Sequence, residues 1–295
     1  MRIRILLLSA LLVACGCKGR TPAEQTDAKP LAALIYCTDE DRLVFDRYIQ
    51  AMSSKKNLPL GDLIVETARF FSDVPYVAST LEREPEGLVI NLREMDCTTF
   101  VENGIALAYT MKDPHPSFDT FCLYLQRLRY RDETIRDYTD RLHYFSDWIV
   151  ENGRKGFVAD ATQQIGGEPY RVNLSFMSTH PDSYRQLTSN PEWIRSMREK
   201  EQEISARETY ATIPAKQIAE CEKGMKSGDI VCFVTNIKGL DISHAGFICV
   251  KGNNVRFIHA SSSAKKVVES TSSLTSYVNG VKTITGVMII RPQKP

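Results

Sequence analysis

The chain is predicted to fold as an α+β protein, and three observations carry that prediction. Apolar residues in the first two thirds recur at the three-to-four spacing of helices. The last third changes to short apolar runs of strand length, two of them joined by a Gly-Asn turn. No linker separates the two parts, so residues 31–295 are expected to form a single domain. The 295 residues, 43% hydrophobic and 25% charged, are enough for a large core. A net charge of +1 gives no electrostatic case for nucleic acid. There is no Gly-rich phosphate loop, no metal-type Cys-x-x-Cys pair and no repeat, so neither cofactor nor metal is expected.

The N-terminus reads as a targeting segment. A basic start, Met1 to Arg4, precedes an apolar run from Ile5 to Val13 that is too short to span a bilayer. Leu12-Val13-Ala14-Cys15 resembles the lipobox of bacterial lipoproteins. The resemblance implies a signal peptide over 1–14, lipidation of Cys15, and export with a membrane anchor on the periplasmic side of the envelope. Residues 15–30 are polar and small, which suits a tether. Eight cysteines in an exported chain raise the question of disulfides, but their pairing cannot be read from sequence.

Helix is expected from Thr38-Asp39-Glu40-Asp41, an approximate capping box. A second follows, led by Leu63, Ile64, Ala68 and Phe71, and runs into Val74-Pro75-Tyr76. Leu88 to Leu92 reads as a short extended run. Beyond it Phe100, Val101, Gly104, Ile105, Leu107, Ala108 and Met111 mark one apolar helical face. Cys97 falls at the first turn of that helix, with Asp96 as N-cap. Unpaired N–H groups and the helix dipole favour a thiolate there, whereas a nearby Asp96 carboxylate opposes it.

A further helix is expected from Phe118 to about Leu128. Residues 129–180 are dense in polar and aromatic groups with little period, and suit either a binding groove or a packed loop. Arg141, His143, Tyr144, Asp147 and Trp148 are the candidate substrate contacts, for a carboxylate, an ammonium and sugar or alkyl faces. Residues 191–208 read as a solvated helix.

Three apolar runs read as strands: 228–234, 243–250 and 255–261. A fourth closes the chain over 284–291. A loop centred on Gly252-Asn253 sets Gly246 opposite His259. His244 and His259 then share one face, diagonal to each other at roughly 7–8 Å by Cα. A second imidazole beside a first can fix its tautomer and orientation, as a general base requires.

Val74-Pro75-Tyr76, Asp96-Cys97-Thr98-Thr99-Phe100, Ser243-His244-Ala245-Gly246 and His259 together resemble the NlpC-type, papain-like cell-wall cysteine peptidases. Two longer phrases, Glu94 to Glu102 and Arg141 to Trp148, resemble its N-acetylmuramoyl-L-alanine amidase-like branch. Thr98-Thr99 departs from the Ser-Gly of the superfamily. The resemblance implies a papain-like fold, with the nucleophile helix packed on a small antiparallel sheet and additional helices inserted between Cys97 and His244. It implies Cys97 as nucleophile, His244 as base, His259 as its orienting partner, and Tyr76 at the oxyanion or substrate. The expected substrate is a peptidoglycan fragment (muropeptide), handled by a monomer. A stem-peptide endopeptidase, a papain-like acyltransferase and a non-catalytic muropeptide-binding lipoprotein are the alternatives.

Overall fold

Strand side chains alternate between two apolar layers, and that alternation organises the molecule. The computed structural model describes residues 30–208 and 210–294. The expected signal peptide, Cys15 and the expected tether through residue 29 lie outside the described residues. Leu31–Pro295 forms one compact unit.

The chain opens with β1 (Ile35–Tyr36), α1 (Asp39–Met52), α2 (Leu60–Phe70) and β2 (Leu88–Val89), with β1 and β2 paired in parallel. Thr38 and Asp41 cap α1 reciprocally, as the sequence suggested. Next come α3 (Cys97–Lys112), α4 (Phe118–Arg129), α5 (Phe145–Arg154), β3 (Val158–Asp160) and β4 (Glu168–Tyr170). The single turns α6 (Phe176–Thr179) and α7 (Arg185–Thr188) lead into α8 (Pro191–Ser205) and β5 (Tyr210–Pro214). A short α9 (Ile218–Cys221) precedes β6 (Ile230–Thr235), β7 (Ile242–Lys251), β8 (Asn254–Ser261) and β9 (Lys266–Glu269). α10 (Leu274–Gly280) and β10 (Ile284–Pro292) close the chain.

The main sheet is antiparallel, with strand order β4-β5-β10-β6-β7-β8-β9 and β3 paired to β10. At eight strands it is not the small sheet expected. The excess comes from β3 and β4, recruited from the 129–180 stretch of little period, from β5 beyond α8, and from the four-residue β9. Ile230, Cys232 and Val234 of β6 face one layer, while Val231 and Phe233 face the other. Both faces are buried, which explains why the strand reads as an unbroken apolar run.

Helix α3 lies on the first face and is buried from Thr99 to Met111. Its approach to the sheet is set by Gly104: a Cβ there would stand 2.7 Å from the Phe247 ring. Helix α8 is not simply solvated. Glu201 and Ile204 are buried, and Glu201 accepts from the Tyr144 hydroxyl at 2.6 Å and from the Ser178 N–H at 3.1 Å.

Candidate active site

Asp96 starts α3 with its side chain accepting from the Thr99 N–H at 2.8 Å, and the Asp96 N–H donates to the Thr99 hydroxyl at 2.9 Å. This reciprocal cap fixes Cys97 as the first helical residue. The half-buried thiol lies against β7. The Ala245 backbone N–H and the Thr98 hydroxyl stabilise a thiolate there, but burial and then the Asp96 charge outweigh them and push the Cys97 pKa up to about 12. The helix terminus therefore does not make Cys97 a resting thiolate. Desolvation dominates.

Residue 245 follows His244, so Cys97 and the histidine strand meet at the start of β7. The β7–β8 hairpin pairs Lys251 with Asn254, a two-residue loop in which Gly252 takes φ +60°. Its register carries Phe247 opposite Ile258 and sets Gly246 beside His259. His244 Nε2 lies 2.6 Å from His259 Nδ1, with ring centroids 4.8 Å apart. Burial lowers His244 to about 3, helped by His259, and burial alone lowers His259 to about 4. Both imidazoles are neutral near pH 7. Because Nε2 of His244 is engaged with His259, Nδ1 is the nitrogen left to take a thiol proton.

Tyr76 is held by its backbone rather than its side chain. Its N–H donates to the Lys265 carbonyl at 2.9 Å, the Met95 N–H donates to the Pro75 carbonyl at 3.0 Å, and Val77 returns to Met95 at 3.2 Å. The segment is thus stitched to the residues that lead into Cys97. Desolvation, then the neighbouring Cys97 and Asp96, raises the Tyr76 hydroxyl to about 12, keeping it a donor.

A cavity of about 450 Å³ opens at the residues flanking Cys97, lined by the cap Asp96, by Thr98 and Glu102 of α3 and by Glu82, Tyr184 and Arg185 from other segments. Arg141 and His143 also line it. Their polar groups are already engaged: the Arg141 guanidinium forks onto Glu86 with two bonds of 2.9 Å and reaches Glu82 at 3.1 Å. His143 Nε2 lies 2.8 Å from the Tyr138 carbonyl, and burial lowers its pKa to about 3.

The expected groove contacts of Tyr144, Asp147 and Trp148 are corrected by burial. Tyr144 is spent on Glu201 and on the Met177 N–H. Asp147 is 2% exposed and ion-paired with both Arg131 and Arg207. Trp148 is 1% exposed. These three hold α5 in the core and are closed to a ligand.

Sequence reasoning missed Tyr277, Phe233 and Phe257, the rings packed around the two histidines. The alternation of β6 and β8 marks the two phenylalanines as inward-facing. No sequence signal brings α10 to this spot. Cys37, Cys97, Cys122, Cys221, Cys232 and Cys249 are all free thiols. Among the described residues no three His, Cys, Asp or Glu side chains gather as a metal site requires.

The AmiA-like family, described as N-acetylmuramoyl-L-alanine amidase-like, matches residues 66–284. An N-acetylmuramoyl-L-alanine amidase from Bacteroides uniformis is 39% identical, covers 80% of this chain and 99% of its own, and superposes with a TM-score of 0.76. A Bacteroides fragilis protein solved under the name of a xylanase is 37% identical over 77% of this chain and 99% of its own, with a TM-score of 0.72. A Legionella pneumophila protein of the DUF1460 family, 22% identical over 86% of this chain and 94% of its own, shares the fold at a TM-score of 0.64. No curated protein matches. The matched span takes in the Cys97 helix, the His244–His259 hairpin and the cavity beside them, and the chain belongs to the AmiA-like, N-acetylmuramoyl-L-alanine amidase-like family.

Proposed function

We propose that the protein is a papain-like cysteine amidase that cuts the bond between N-acetylmuramic acid and L-alanine in muropeptides. The observation that carries this reading is the hydrogen-bonded His244–His259 pair on the hairpin whose Ala245 N–H reaches Cys97 at a helix start. In the resting site the thiol and both imidazoles are neutral, so the thiol proton passes to His244 Nδ1 as the sulfur attacks the amide carbonyl. His244 Nε2–H donates to His259 Nδ1, which fixes the tautomer and supports the imidazolium that forms. Donors for the oxyanion are the Tyr76 hydroxyl and the N–H groups at the start of α3. His244 then returns the proton to the L-alanine amine. The sugar acid stays on Cys97 as a thioester, which water hydrolyses.

Hydroxyl, carboxylate and guanidinium groups line the adjoining cavity, which suits small polar fragments better than a polymeric wall. Digestion of defined muropeptides with mass-spectrometric readout tests the reading: free sugar plus intact peptide is expected. A split peptide would instead identify an endopeptidase. Loss of turnover in a folded Cys97→Ser protein is expected, and substantial activity in that variant would rule out the cysteine mechanism.

We also propose that Cys15 anchors the mature protein to a membrane by lipidation, from the Leu12-Val13-Ala14-Cys15 match. Cys15→Ala should move the protein to the soluble exported fraction with its activity unchanged. Continued sedimentation with membranes would refute the anchor.

A further inference from the structure

An imidazole tethered through one nitrogen can still pivot about that bond, because the χ2 torsion of histidine is broad. Among the described residues His259 makes a single side-chain hydrogen bond, to His244. Something else must hold the plane of its ring if Nδ1 is to stay in line with His244 Nε2. The candidates are the rings around it. Phe257 packs on His259 with centroids 4.7 Å apart, and Phe233 stacks on His244 at 5.7 Å and 21°.

Both of those rings are strand side chains, fixed by the register of β6 and β8. The circle is closed from outside the sheet by Tyr277 of α10. Its ring meets Phe257 at 4.8 Å, Phe233 at 5.3 Å and His259 edge-on at 6.0 Å. The Tyr277 hydroxyl makes no hydrogen bond among the described residues, so its ring is seated by packing alone. We propose that Tyr277 is a positioning residue, a clamp contributed by α10 that keeps the His259 ring aligned on His244. It packs edge-on against His259, and neither Tyr277 nor the two histidines line the cavity, so its effect is expected on turnover rather than on substrate affinity.

The inference rests on the reading of His244 as the base. It is tested in the full chain with Tyr277→Phe, Tyr277→Leu and Tyr277→Ala, each checked for folding by its melting temperature. With a muropeptide substrate, Tyr277→Phe should keep kcat within about threefold, because the ring remains. Tyr277→Leu and Tyr277→Ala should lower kcat by roughly ten- to a hundredfold, the scale of a misaligned catalytic group, with KM within about threefold. If the alanine variant does not fold, the bulkier leucine variant carries the comparison.

A second readout needs no substrate. The imidazole N–H proton shared by the two histidines should give a resolved NMR resonance in the wild type and Tyr277→Phe, and an exchange-broadened one in Tyr277→Leu. A folded leucine variant with unchanged kcat and a sharp resonance would overturn the clamp. So would a phenylalanine variant as damaged as the alanine one, which would make the hydroxyl the working part. A wild type that cuts no muropeptide but shows the expected resonances would defeat the amidase reading and leave the clamp standing.

Discussion

Asp96 performs two tasks at Cys97, one as a helix cap and one as a charge, and Asp96→Asn separates them. As a cap, its side-chain oxygen accepts from the Thr99 N–H and hydroxyl, each at 2.8 Å, and an asparagine oxygen can do the same. As a charge, it is the largest contribution after burial to the raised Cys97 pKa. If the charge separation is taken as roughly 6 Å and the effective dielectric as about 20, the carboxylate disfavours a thiolate by about 2–3 kcal/mol, or about 2 pKa units. Neutralising it should lower the Cys97 pKa by about one to two units.

The thiolate fraction at fixed pH then rises by about ten- to a hundredfold. A weaker base is also a weaker nucleophile, with a Brønsted slope of about 0.4–0.5, which returns nearly half of that gain on the logarithmic scale. Net alkylation of Cys97 by iodoacetamide should therefore quicken by about three- to tenfold near pH 8, measured by peptide mapping. Loss of the charge from the helix N-terminus costs about 0.3–1 kcal/mol of stability, small enough to leave the fold intact. A folded Asp96→Asn protein whose Cys97 reacts no faster, or more slowly, would refute the electrostatic account.

His244→Ala should abolish muropeptide turnover, whereas His259→Ala should be milder, because water can take the place of an orienting group; equal losses would contradict this division of roles. Trp148→Ala should cost about 3–5 kcal/mol of stability and lower the melting temperature, with kcat/KM of the folded fraction unchanged, since the side chain is core. A Trp148→Ala protein of normal stability but raised KM would restore the groove reading.

The site was legible wherever a local rule fixed the geometry. Asp96 and Thr99 form a cap recognisable from their spacing, and period-two alternation plus a two-residue turn suffices to bring His244 beside His259. Tyr144, Asp147 and Trp148 were read as groove residues although they are buried, for a physical reason: groups that recognise ligands are the same groups that satisfy one another when buried. Asp147 meets Arg131 and Arg207 from residues 16 and 60 positions away, and no periodicity announces such partners. The Cys97 thiol shows the same limit in electrostatics. The helix terminus is readable in sequence, but the desolvation that outweighs it comes from tertiary burial.

The segment that carries Tyr76 has a consequence beyond the active site. β9 is the last strand of its sheet, and an uncovered outer strand invites pairing with another chain. Here the Asp73 N–H donates to the Val267 carbonyl at 3.0 Å, the Val267 N–H donates to the Val74 carbonyl at 2.8 Å, and Pro75 bridges to Lys266. The opposite outer strand, β4, carries Pro169, which has no N–H to offer a newcomer. The backbone that carries Tyr76 and is bonded to the residues leading into Cys97 is therefore also the guard against intermolecular sheet growth. Grafting or shortening 73–76 would expose a sticky margin, and the resulting inactivity would come with fibres or inclusion bodies rather than with a soluble, silent enzyme.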